Sequence, residues 1–150
     1  MSGSFTDTTD RALLNYLTGT SLGGWTPPST TYVMLLTGNP ALTATIPTDP
    51  QLSELAELSA TGYSRQIATW SSSTTPTGGI SQIQNSNLIT FGPFTAPAGS
   101  STATTYGALV NASSGTTGEV FCVWAWDSSV LAPQNQSITI PIANLTMTQQ

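Results

Sequence analysis

The sequence has no lysine and no histidine, and its only cationic side chains are Arg11 and Arg65. Charged residues make up 6% of the chain, against roughly 25% in ordinary globular proteins. Two arginines cannot neutralise a row of phosphates, which argues strongly against nucleic acid as a partner and against an anionic membrane surface. Without histidine the usual general base and the commonest transition-metal ligand are both missing. The one cysteine, Cys122, allows no internal disulfide. No apolar run approaches the roughly 20 residues of a membrane-spanning helix. The opening MSGSFTDTTD lacks the basic and apolar regions of a secretory signal, which predicts synthesis and assembly in a cytoplasm.

What is present is the material of a folded core. Hydrophobic residues are 38% of the 150, a length that suits one domain over 1–150. Disordered chains are usually highly charged and poor in aromatics, and this one is neither. FTDTTDRALLNYLTG predicts a short N-terminal helix within 1–20, capped by Thr6 or Asp7 and ended by Gly19. Leu13, Leu14 and Leu17 form its apolar stripe, and Asp7 and Arg11 have the favourable i, i+4 spacing. Strands are predicted at 31–38, 62–71, 86–94, 105–112, 119–127 and 137–148, with turn-rich spacers between them. Repeated short strands after one helix predict an all-β fold, a β-sandwich-like antiparallel domain. Residues 38–61 read as an irregular arm or loop, in which Asp49–Pro50 can open a short helix bearing Leu52, Leu55 and Leu58 on one side. Pro141 interrupts the Ile138–Ile140–Ile142 alternation, so that strand should be an edge or carry a bulge.

No chemistry-bearing constellation survives inspection. Gly19-Thr20-Ser21-Leu22-Gly23 has the spacing of a nucleophile elbow, but it follows a helix and has neither histidine nor lysine to serve it. Glu54 with Glu57, and Asp7 with Asp10, fit solvated helix faces better than acid–base pairs, and Asp127 has only distant carboxylates to pair with. No Asp-rich calcium loop, soft-ligand set or phosphate-binding glycine loop is present. The expectation is therefore no catalytic, cofactor-binding or metal-binding residue. In FCVWAWDSS, residues 121–129, both faces are apolar, so the strand needs a cover on each side. Strict alternation would turn Phe121 and Val123 to the sandwich core. Trp124 and Trp126 would then lie under the helix, the 38–61 arm or a neighbouring subunit. Cys122 among these neighbours should be buried and inert. Arg65, between Tyr63 and Ile67, is the leading candidate for a specific ion pair, within the subunit or across an interface.

The order ALLNYL, YVMLLTGNP and GYSRQIATW, followed by NSNLITFGPFTA, the GALV strand and SITIPIANLTMT, resembles small virion structural proteins of tailed bacteriophages. The resemblance implies a short helix before an all-β domain and a non-enzymatic role in the virion. The leading reading is a capsid decoration protein that binds the shell and stabilises it through oligomeric contacts. The alternative is a minor tail or tail-fibre protein that recognises host-surface glycans. The implied partners are further copies of the chain, as a homo-oligomer (a trimer by analogy with other decoration proteins), and the major capsid protein or other virion proteins. Interface candidates are Leu13, Leu14, Leu17, Tyr63, Arg65, Trp124 and Trp126. A low charge suits such a subunit, because surfaces of Ser, Thr, Asn and Gln repel one another weakly.

Overall fold

β-Branched and aromatic residues mark out the strands, and Gly-, Pro- and Ser-rich segments separate them. The computed structural model describes residues 4–18, 28–43, 49–72, 81–95, 103–131 and 134–149. The N-terminal part holds β1 (Ser4–Phe5), α1 (Asp7–Thr18), β2 (Thr31–Leu36) and the four-residue α2 (Pro40–Thr43). A 3-10 turn at Leu52–Glu54 leads to β3 (Gln66–Ala68), β4 (Ser81–Gln84) and β5 (Ile89–Phe91). The long strands β6 (Thr104–Val110) and β7 (Val120–Val130) precede β8 (Ile138–Ile140) and β9 (Thr146–Gln149). The protein is all-β, with antiparallel sheets and one short N-terminal helix. Five strands form one sheet in the order β1-β7-β6-β2-β3, and β4-β9 and β5-β8 form two ribbons.

The five-stranded sheet is covered on both faces, and different parts of the sequence supply the covers. Val33, Leu35, Leu109, Cys122 and Trp124 share the larger core with Ile89, Phe91, Ile138 and Ile140 of the β5-β8 ribbon. On the other face Met34, Leu36, Ala108, Val110 and Val120 meet Leu52 and Leu55 of the arm. Alternation along β2 puts its successive residues into opposite cores, which is why TYVMLL carries no polar face.

β7 departs from strict alternation at one point. Leu109 pairs with Cys122 and Val110 with Val120, which leaves Phe121 as an extra residue in a β-bulge. Phe121 and Cys122 therefore both enter the larger core, followed by Trp124, while Val123 packs beside the smaller one. This corrects the expectation for 121–126: Phe121 does face the sandwich core, but Trp124 joins it there, and the arm covers the opposite face. Trp124 fits because β6 presents Gly107 opposite it; a Cβ at Gly107 would stand 2.5 Å from the indole ring.

After α2, the described part of the arm forms one 3-10 turn, with no helix through 51–59. Leu55 is already extended and Glu57 bridges to Leu36, so the segment runs along the edge of β2. Leu52 and Leu55 then fall on the smaller core and Leu58 on the larger, so the three leucines do not share one side. Asp49 does not cap this turn. Its carboxylate accepts from the Thr8 hydroxyl at 2.7 Å and the Thr8 N–H at 3.4 Å, at the positive end of α1.

Thr6 caps α1 by accepting from the Thr9 N–H at 3.3 Å while its hydroxyl donates to the Val120 carbonyl at 2.8 Å. These ties set the helix rotation. Ala12 is the buried position, Leu13 is half-buried, and Leu14 is 61% exposed, so the apolar stripe is not the buried face. The side chain of Leu17 lies outside the described residues.

Pro141 ends β8 and splits the predicted 137–148 strand into β8 and β9 through a turn at 141–144. Asn85 holds this turn from inside. Its amide donates to the carbonyls of Asn87 (2.8 Å) and Pro141 (2.9 Å), and its side-chain oxygen accepts from the Leu145 N–H at 2.8 Å. Asn85 is 1% exposed, and these bonds join the two ribbons.

Candidate functional site

The chain turns back at Thr61–Gly62, where Gly62 takes φ +89, and so brings Glu57 on one limb beside Tyr63 and Arg65 on the other. Arg65 makes a bidentate pair with Glu57: Nε to Oε1 at 2.8 Å and Nη2 to Oε2 at 2.8 Å. Its remaining donors reach across to the β6-β7 connection, Nη1 to the Ala112 carbonyl at 3.0 Å and Nη2 to the Gly115 carbonyl at 2.6 Å. The Arg65 side chain is 2% exposed, and that of Glu57 is 29% exposed. The hydrogen bonds to Glu57 push the guanidinium pKa up against the opposing cost of burial.

Tyr63 completes the network. Its hydroxyl donates to Glu57 Oε1 at 3.0 Å and accepts from the Leu35 N–H at 3.1 Å, while its ring stacks on Phe91 at 6.1 Å between centroids. Burial, then the nearby Glu57 charge, push the phenol well above its ordinary pKa, so it remains a neutral donor.

The 112–118 loop is held at its base as well. Asn111 accepts from the Glu119 N–H at 2.8 Å and donates to the Glu119 carboxylate at 3.2 Å. Two fixed walls, 57–65 and 113–115, therefore face each other across an open cleft of about 420 Å³. Its lining includes the exposed Ser59, Ser64, Ser113 and Ser114 together with Leu58, Ala60, Tyr63 and Glu57. A smaller cavity of about 220 Å³ lies between the start of α1 and Glu119, beside Thr8 and Asp49.

Of the residues singled out from sequence, Tyr63 and Arg65 meet in this network, and the Arg65 ion pair lies within the chain. Trp124 is buried in the larger core, and Trp126 is half-buried, edge-on to Trp124 at 5.7 Å, with its Nε1 donating to the Tyr106 carbonyl at 2.9 Å. Leu13 and Leu14 lie on α1, away from the cleft lining. The Gly19–Gly23 segment lies outside the described residues. Cys122 is buried, and its thiol is pushed up to about 12 by desolvation. Among the described residues no group of three or more metal-ligating side chains comes together, and no helix is long and apolar enough to cross a membrane.

Glu57 was hidden in the sequence because ELAELS reads as a helix that would pair it with Glu54. The available signal was its position eight residues before Arg65, across a turn at Thr61–Gly62, in a chain with only two cations. Residues 4–148 match the model of a family described as podophage GP4 fiber I protein gp80. No curated protein matches the chain.

Proposed function

The chain belongs to the podophage GP4 fiber I protein gp80 family, and from that premise we propose that it is a non-enzymatic structural component of a phage tail fibre. The single observation that carries the reading is the family match over residues 4–148. Shell decoration, the leading expectation from sequence, finds no support in a family described as a fibre protein, and the tail-fibre alternative fits better.

Two internal polar joints support a structural role: Arg65 ties three segments, and Asn85 ties two ribbons. Assembly with other copies or other virion proteins is part of the proposal. It is supported by a charged fraction of 6%, which leaves little repulsion between surfaces.

Purified virions supply the test. Quantitative mass spectrometry should find this chain in few copies relative to the major shell protein, and antibody-labelled electron micrographs should show it at the tail. A copy number close to that of the shell protein, with label over the head, would overturn the fibre assignment.

A further inference from the structure

We propose that the turn surface carrying Leu88, Pro141 and Ile142 is a contact face for a second copy of this chain, like face to like face. Among the described residues the exposed large apolar side chains are Leu14, Ile67, Leu88, Leu131 and Ile142. Three of them are gathered by one hydrogen-bonded node. The Asn85 amide donates to the carbonyls of Asn87 and Pro141, so the peptide groups that lead into Leu88 and Ile142 are held on a single nitrogen. Asn87 in turn donates to the Ile67 carbonyl at 2.9 Å. Leu88 and Ile142 are 57% and 58% exposed, and Pro141, which precedes Ile142, is exposed as well.

What borders this apolar centre is polar and uncharged. Thr69 and Ser86, whose hydroxyls bond each other at 2.9 Å, lie beside it with Thr139 and Asn144, and all four are exposed. An apolar centre inside a polar rim is the anatomy of a protein contact. The face is also held in place before any partner arrives. Asn85 is buried, and the Asn87 side chain is tied to the Thr69 N–H at 2.9 Å as well as to Ile67. Little ordering is then required on association.

The distribution of charge selects the occupant. Every acid and both arginines lie within 7–65 or at Glu119 and Asp127. Residues 66–118 and 128–150, which hold β3 to β6, β8 and β9, carry no charge at all. Ile67 stands opposite Tyr32 on β2, whereas the Glu57 backbone bridges to Leu36, roughly 13 Å further along that strand. The Glu57 charge is met there by Arg65. A cationic partner would be drawn to the acidic part of the molecule and gains no Coulomb energy at this face. A second copy, itself at −5, is repelled except where both surfaces lack carboxylates, and this face presented to its own likeness meets that condition. Contact of one patch with the same patch closes at two copies. The inference deepens the assembly part of the fibre reading and rests on it only for where the copies meet, in a tail fibre.

The test uses the full chain in solution, independent of any virion. Sedimentation velocity of the parent, from micromolar concentration up to about 1 mM, should show reversible dimerisation. Amide NMR shifts that move with concentration should map to residues 67–69, 86–90 and 139–144. Leu88→Asp and Leu88→Lys should each weaken dimerisation about tenfold or more, because each sets like charges face to face. An equimolar mixture of the two variants should dimerise again, since opposite charges meet only if the face contacts its own likeness. Leu131→Asp adds the same charge beyond Val130, roughly 20 Å from Ile67 as measured along β6 from Val110 to Thr104. It should change the dimerisation constant by no more than about twofold. Circular dichroism and thermal midpoints like those of the parent establish that the variants fold. A parent that stays monomeric at the highest concentration would assign the face to another virion protein and overturn the proposal. Concentration-dependent shifts mapping elsewhere, a charge mixture that stays monomeric, or a Leu131→Asp effect as large as that of Leu88→Asp would overturn it too. Failure here with tail labelling intact removes the face and leaves the fibre reading. Dimerisation through this face with label over the head does the reverse.

Discussion

Arg65 is the residue on which three segments depend, because its donors reach Glu57, Ala112 and Gly115 together. Arg65→Met keeps the bulk of the stem but leaves the Glu57 carboxylate with the Tyr63 hydroxyl alone and two carbonyls without their Arg65 donor. Removing one partner of a buried pair costs roughly 3–5 kcal/mol, and the 29% exposure of Glu57 lowers the expected loss to about 2–4 kcal/mol. Urea denaturation of the variant should show this as a lower midpoint. Arg65→Met combined with Glu57→Met should recover part of the loss, because no charge is then left unpaired. Cys122 and Tyr63 give a second measurable consequence at this scale. Both are acids whose folded pKa is raised by burial, so the unfolded chain loses these protons first as pH increases. Their contribution is intact below the unfolded thiol value of about 8.5 and is lost as pH rises from there toward about 12, with a slope of up to about 1.4 kcal/mol per pH unit per group. Stability measured by denaturant between pH 8 and 10.5 should therefore fall. Cys122→Ala should flatten the first part of that fall.

Between elements, the tightest constraint is the meeting of β6 and β7. Gly107→Ala would place a methyl 2.5 Å from the Trp124 ring, in a region where both residues are buried and neither strand can move without breaking its ladder. Overpacking of this kind costs roughly 1–3 kcal/mol or more, and Trp124→Leu in the same chain should restore part of it by making room. Paired thermal melts of the single and double variants would show the rescue; a Gly107→Ala protein as stable as the parent would mean that the indole does not lie there. The arm gives a different case, since Leu52 is 3% exposed yet comes from a segment with one 3-10 turn. Leu52→Ala should cost roughly 2–4 kcal/mol, a core-sized loss from what the sequence presents as a loop. That contrast shows what was readable. The strands β2, β6 and β7 were legible because short β-branched and aromatic runs lie between turn-rich spacers, and in β2 and β7 the apolar character of both faces made the need for two covers legible too. The bulge at Phe121 was not, because an extra residue in a strand changes register without changing composition. The arm leucines were misread for a related reason: spacing of three suits a helix, but extended chain along the edge of β2 can deliver the same residues to two different cores.

For the molecule as a whole, scarcity of charge is the property that joins fold to function. The lack of histidine and lysine is plain from the sequence, and the expectation of no catalytic or metal-binding residue was drawn from it. The partner of Arg65 was not legible, because pairing across a turn depends on tertiary approach that periodicity does not report. With a formal net charge of −5 over 150 residues, repulsion between copies is weak even at pH 7. It disappears near the sequence pI of about 4.1. If exposed apolar positions such as Leu14 and Ile142, at 61% and 58%, contribute to assembly, they act against only this repulsion. Self-association should then strengthen as pH falls from 7 toward 4.5, and Leu14→Glu should oppose it by adding charge where apolar surface was lost. Sedimentation velocity at fixed protein concentration measures both effects, with circular dichroism at each pH to establish that the chain is folded. A parent chain that stays monomeric and folded across the whole range would locate its assembly energy in contacts with other virion proteins instead of in copies of itself.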